Sequence, residues 1–434
     1  MLAKTLTLLA LSLVSLALGA AQTQAPDPAP ALPRIVGETF NITQYGALGD
    51  GAATNTLAIQ AAIQAANRAG GGTVQIPRGV FLSGPIELAS GIRLRLDEGA
   101  ILRMLPLSQY PGGTQSPKDF ISGSKLHDIA MSGPGAIDGQ GAPWWPHARV
   151  EGDKRPRMIA LSGCERVLIE QLTLSNSPKF HISIGGNSSN ITVRRVTIRA
   201  NSSSDPVAPG HNTDACDVSA KHVLIQDCDV SVGDDNFTCG GGTSDVLITN
   251  CAYGNGHGVS IGSPIHGGIS NLTVIHCTFN NTDTGIRIKS DRDRGGLVQN
   301  IRYFDIKMTN VGIPILIYAA YAATNREYRN LQKLTPELAS KYPASPVTDR
   351  TPVYRDIVFS NITATVRSGS RAGLIWGLPE KPASNIVMQK VEIRAEHPFG
   401  IFDAKNVQLE NCLIITPQGT NQLATTNAQV TCKP

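Results

Sequence analysis

Aromatic side chains are scarce in this chain of 434 residues: Phe, Trp and Tyr together make up 5% of it, against 43 glycines. That balance does not suit one compact helix-rich domain and fits a long stack of short strands and turns. Charge excess is equally thin, a formal net +4. So weak an excess says little about partners, no nucleic-acid partner is expected, and any attraction for an anionic ligand must come from a local cleft. The 8 cysteines show no zinc-site spacing. Long apolar runs are missing beyond the first residues, so no membrane partner is expected either.

The exception is the start. "MLAKTLTLLALSLVSLALGA" has Lys4, an apolar run from about Leu6 to Leu18 and small residues around Gly19 to Ala21, which reads as a secretory signal peptide over residues 1–20. A secreted or periplasmic destination follows. Residues 21–36 are Pro/Ala-rich and read as a flexible lead-in. The rest, 37–434, is one domain.

Within it a short phrase recurs, usually after Asn, Asp or His. It begins at Val167, Ile191, Val223, Val246, Leu272, Ile301, Ile357, Ile386 and Val407. The intervals run from 21 to 32 residues, except the 56 between Ile301 and Ile357. Each phrase alternates apolar with polar residues, the mark of a strand with one face inward. Such strands cannot bury their faces alone and must stack turn upon turn. The expected fold is all-β: a single-stranded right-handed parallel β-helix, handed by the preference of parallel connections. Five residues on from each phrase's first residue, Cys228, Cys251, Cys277 and Cys412 share a slot with Leu172, Val196, Ile306, Ile362 and Val391. Core packing as free thiols is therefore expected of them; Cys216 with Cys239, and Cys432, stay open as disulfide candidates. An N-terminal helix with Ile59, Ile63 and Ala66 on one face, Asn55 as its cap and glycines 70–72 as its stop should cover the end of the stack. Residues 319–352 form the insertion behind the long interval and are expected to wall a groove.

Coiling also gathers acids. Asp214 precedes Asp234 and Asp235 by 20 and 21 residues, about one turn, and "GHG" with His257 and "RIK" with Arg287 and Lys289 fall on the next two turns. Arg287 and Lys289, two apart on a strand, share a face; Asp234 and Asp235 converge only if the chain bends, which Gly233 permits. Packed carboxylates raise the pKa of one of their number, leaving a protonated acid beside ionised partners, the division of labour a glycosidase needs. The gap would be ~6.5–9.5 Å for inversion and ~5 Å for retention. Arg292 and Arg294 read as surface charges neutralised by Asp291 and Asp293. The Asn-x-Ser/Thr triplets at Asn41, Asn190, Asn236, Asn271 and Asn361 read as turn asparagines rather than glycan sites.

"FNITQYGALGDG", "GGGTVQIPRGVFLSG", "GAIDGQGAPWW", "NTD" at 212–214, "GDD" at 233–235, "GHG" at 256–258 and "RIK" at 287–289 together resemble glycoside hydrolase family 28, the polygalacturonases, over roughly residues 38–412. The resemblance implies a monomeric inverting hydrolase of the α-1,4-galacturonosidic bonds of pectin, with no metal and no other cofactor. Asp234 would be the general acid, and Asp214 and Asp235 would orient and activate the attacking water. Asn212 would hold that site, His257 would tune the acid or touch the substrate, Arg287 and Lys289 would bind the sugar carboxylate, and Tyr321 resembles the family's substrate-contacting tyrosine. Ala215 and Asn236 depart from the commoner glycine and cysteine, which bears on the subgroup. Action on chain ends is slightly favoured over internal cleavage, on the long 201–213 and 319–352 segments. The alternatives are a rhamnogalacturonan or xylogalacturonan hydrolase, then a calcium-dependent lyase, then a non-catalytic polysaccharide-binding solenoid.

Overall fold

The computed structural model describes residues 29–323 and 326–434; the residues read as a signal peptide and the first part of those read as a lead-in lie outside them. From residue 29 the chain runs along the outside of the molecule, tied by Ala31 N–H to Asn190 Oδ1 at 3.1 Å and by Arg34 N–H to Asp128 Oδ1 at 2.8 Å. It then winds into a right-handed parallel β-helix, with every strand in one continuous sheet system.

Alternation sets the register. Val167, Ile191, Val223, Val246, Leu272, Ile301, Ile357, Ile386 and Val407 are Cα partners in that order, turn to turn. The column extends to Ile129 before them and Val430 after. From Ile129 to Val407 each member is buried, and each fully buried aliphatic side chain contributes ~1.5–3 kcal/mol relative to exposure. The second column also forms, with Cys228, Cys251 and Cys277 buried, Cys412 half-buried, and all eight cysteines free. Cys216 and Cys239 do not face each other: Val218 is the Cα partner of Cys239.

The residue ahead of each phrase explains its identity. Arg166, Asn190, His222, Asp245, Asn271, Asn300, Asp356, Asn385 and Asn406 all take the left-handed conformation, with φ between 51° and 58°. Asn and Asp tolerate that region best among residues with a Cβ. Their side chains then link turns: Asn271 Nδ2 donates to Asp245 Oδ1, Asn385 Nδ2 to Asp356 Oδ1, and Asn406 Nδ2 to Asn385 Oδ1, each at 2.9 Å. Of the Asn-x-Ser/Thr triplets, Asn190 and Asn271 belong to these turns, and Asn361 to a neighbouring column of left-handed turns, where its Nδ2 donates to Asp305 Oδ1.

The helix Thr56–Arg68 packs Ile59, Ala62, Ile63 and Ala66 onto the first strands. Asn55 precedes it but makes no capping bond. Its amide is buried instead in the loop before, accepting from Leu48 N–H and donating to the Leu48 and Ala53 carbonyls. The 319–352 insertion is fastened by Tyr328 and Tyr342 against Trp376, and by Arg371 donating to the carbonyls of Leu331 and Leu334.

Candidate active site

One stack of short strands carries the chemistry: Ile182–Arg194, Cys216–Gln226, Asp235–Cys239, His257–Ile261, Thr284–Lys289 and Ile313–Tyr318 pair in that order. Strict alternation would send Asp235 inward, because Phe237 and Cys239 point into the core. A second inward seat resolves this. Asn236 is buried and donates to the carbonyls of Gly254 and Asn255, so Asp235 turns out to the cleft. The same doubling recurs on the next two turns, where a Cβ on Gly258 would lie 2.6 Å from the Phe279 ring and one on Gly285 2.5 Å from the Met308 sulfur. These glycines are the inward partners of His257 and Thr284. The departure to Asn at 236 is thus absorbed in the interior, and its burial shuts it to a glycan.

The bend expected at Gly233 exists, since the strand begins only at Asp235. Its cause differs from the expected one: Gly233 is not in the left-handed region, but a Cβ there would lie 2.0 Å from the Gly210 carbonyl oxygen. Thr213, the middle of "NTD", locks that approach by accepting from Gly233 N–H at 2.9 Å and donating to Gly210 O at 2.7 Å.

Asp214, Asp234 and Asp235 meet, with one oxygen of each within 4.8 Å of the others. Asp235 is held hardest, accepting from Ser260 Oγ at 2.6 Å, from Lys289 Nζ at 3.0 Å and from Arg287 Nη2. Arg287 Nε donates in turn to Ser260 Oγ at 2.9 Å. Burial alone would raise the Asp235 pKa, but Arg287 and Lys289 outweigh it and hold the carboxyl far below the usual range. Asp214 has no such partner: buried, with Oδ1 unbonded, it is pushed well above the ordinary value by burial first and then by Asp234 and Asp235. Asp234 is the more open acid. It takes Asn212 Nδ2 at 3.3 Å, and its Oδ1 lies 4.0 Å from His257 Nε2. His257 Nδ1 is 3.7 Å from Asp283 and unbonded; burial and then Arg287 lower its pKa, leaving a neutral ring beside the acids.

The surrounding cleft, about 720 Å³, is lined by Asn212, the three aspartates, Asp217, Lys289 and Tyr321 among others. Tyr321 comes from the insertion, as expected, with its ring 5.3 Å from Lys289 Nζ. Arg287 and Lys289 are buried and spent on Asp235, so in the free protein their charges serve the acid. The neutralisation expected of Arg292 and Arg294 takes other forms. Arg292 pairs with Glu380 at 2.7 Å and lies over Tyr342, while Arg294 donates to Ser263 Oγ at 2.9 Å and lines the cleft.

Sequence reasoning missed Ser260, Arg155 and Asp217. Ser260 lies between inward Val259 and Ile261 and is the Cα partner of Arg287, so alternation alone could have found it. Asp217, between inward Cys216 and Val218, carries the same signal; burial and then Asp235 raise its pKa to about 6. Arg155, whose Nη2 reaches Asn212 Oδ1 at 2.9 Å, comes from a stretch without periodicity and left no signal.

The three carboxylates could between them hold a cation or a water. The two cations on Asp235 and the hydrogen-bonding Asn212 suit a water held among acceptors and close to the more open acid.

Comparison with known proteins gives the family. The family model of glycosyl hydrolases family 28 matches residues 68–413. An endo-polygalacturonase of Pectobacterium carotovorum subsp. carotovorum is 29% identical, over 82% of this chain and 88% of its own length. An exopolygalacturonase of Zea mays is 28% identical, over 82% of this chain and 84% of its own. Among solved structures, an exopolygalacturonase from Thermotoga maritima shares the fold with a TM-score of 0.71 at 22% identity, covering 93% of this chain and 94% of that one. The chain therefore belongs to glycosyl hydrolases family 28, and it is a glycoside hydrolase.

Proposed function

We propose that the protein hydrolyses α-1,4-galacturonosidic bonds of polygalacturonate with inversion at the anomeric carbon. The observation that carries the reading is Asp235 pinned between Arg287 and Lys289 beside the more open Asp234 and the buried Asp214. Asp234 gives its proton to the glycosidic oxygen as the bond from C1 breaks. A water held among the aspartates and oriented by Asp214 attacks C1, and its proton passes to the ionised Asp235, leaving a new reducing end. His257, neutral and next to Asp234, keeps that acid in place.

The gap between the carboxylates, at most 4.8 Å between the nearest oxygens, is shorter than the ~6.5–9.5 Å of most inverting pairs. Inversion is favoured by the state of the nucleophile a retaining enzyme would need. Asp235 has both oxygens engaged and a depressed pKa, and Asp214 is buried, so neither is free to attack carbon. Proton NMR of the first product decides: the β-anomer is expected, and the α-anomer would overturn inversion.

Release from chain ends is the narrower form of the proposal. It rests on Asn212 and Tyr321, which bring the two long segments 201–213 and 319–352 to the cleft. The relatives carry both names, so a digest sized by chromatography decides. Monomer or dimer from the outset supports it; a ladder refutes it.

A further inference from the structure

Three cations, Arg155, Arg157 and Lys179, gather beside the cleft, at its lip near Phe180 and Asn212, and of the aspartates that attract them, Asp119, Asp214, Asp217 and Asp234, none bonds to Lys179. Lys179 stands in the loop leading to the Ile182–Arg194 strand, two strands ahead of the Asp235 strand in the stack. Arg155 Nη1 donates to the carbonyl of Pro178 on one side of it, at 2.9 Å, and Arg157 Nη1 to Ser183 Oγ on the other, at 3.2 Å. Arg157 is matched by Asp119, with bonds of 3.1 and 2.7 Å. Arg155 is spent on neutral oxygens, those of Pro178, His211 and Asn212. Lys179 is half-buried and has neither ion pair nor hydrogen bond among the described residues. Its Nζ lies 4.9 Å from the ring centroid of Phe180, and Phe180 lines the cleft.

An ammonium partly removed from water beside two guanidiniums is costly unless an anion joins it. Burial and then Arg155 and Arg157 lower the Lys179 pKa, outweighing the opposing pull of Asp214 and Asp119, neither of which bonds to it. The anion at hand is the substrate, which on the galacturonan reading above carries a carboxylate on every ring. Arg287 and Lys289 already hold Asp235, so a carboxylate on a neighbouring ring falls to the cations of this lip.

We propose that Lys179 is a specificity-determining residue that binds the carboxylate of the galacturonate ring next to the one being cleaved, so that a free acid rather than a methyl ester is required there. Arg155 and Arg157 support it by keeping that lip positive.

The test compares kcat/KM on polygalacturonate and on the same polymer with about half its carboxyls methyl-esterified, for the wild type, Lys179→Met and Lys179→Arg. Lys179→Met should lose roughly 10- to 100-fold on polygalacturonate, mostly in KM, and its preference for the free acid should shrink about tenfold relative to the wild type. Lys179→Arg should restore both to within about threefold, which separates lost charge from lost folding. An unchanged preference in Lys179→Met, or an equal loss of kcat on both polymers, would overturn the role of Lys179 while the galacturonan reading stands. A wild type that cleaves neither polymer would sink that reading and this inference together.

Discussion

Two aspartates a single turn apart show how far the surroundings, not the side chain, decide chemistry. Asp235 is an anion made comfortable by Arg287, Lys289 and Ser260; Asp214 is an acid that burial and its neighbours keep protonated beyond the ordinary range. Removing them should have opposite consequences for stability. Asp235→Asn leaves two buried cations without their counter-ion and should cost about 3–5 kcal/mol, read as a drop in the denaturant midpoint at constant slope. Asp214→Asn should instead melt above the wild type at neutral pH. The folded pKa of Asp214 is raised, so the wild type is unpenalised below the carboxylate's ordinary value and loses stability as pH rises through the window up to the folded one. The advantage of the variant should vanish below the ordinary carboxylate pKa of about 3.9 and widen as pH rises above it. A constant difference in melting temperature across that range would contradict the assignment. Both variants should lose turnover.

The elements of the solenoid were legible because the phrases say two things at once, apolar alternation and, in most of them, an Asn or Asp ahead of it. Every phrase start from Val167 to Val407 falls into a single register column. The preceding residue proved to be the left-handed turn whose side chain bonds to the next turn. Asn385, at φ 54°, carries both jobs. Asn385→Ala should destabilise the protein by ~1–2 kcal/mol for the conformation alone, and Asn385→Gly by clearly less, in urea unfolding; equal losses would mean that the ladder bonds matter and the conformation does not. The doubled inward seats at Asn236/Phe237, Gly258/Val259 and Gly285/Ile286 were not legible. Period-2 reasoning carries no mark for an extra residue, and only the contacts that a Cβ would make reveal why glycine stands there. The cap was misjudged for a related reason: Asn55 sits where a cap belongs, but a buried loop competes for its amide.

For the whole molecule, stacking converts sequence distance into proximity. Asp214 and Lys289 are 75 residues apart in the chain (289 − 214), yet both line one opening with Asp234 and Asp235 between them. The motifs gave that much because each falls on its own turn. Arg155, Lys179 and Arg294 escaped because a loop position says nothing of which side of the solenoid it will face. What the coiling is for is tested most directly by one comparison, Asp234→Asn against the wild type on polygalacturonate, with reducing ends and equilibrium binding measured on the same preparations. Turnover should fall by at least about 100-fold with the dissociation constant within about twofold. A variant that releases reducing ends at the wild-type rate would contradict the account.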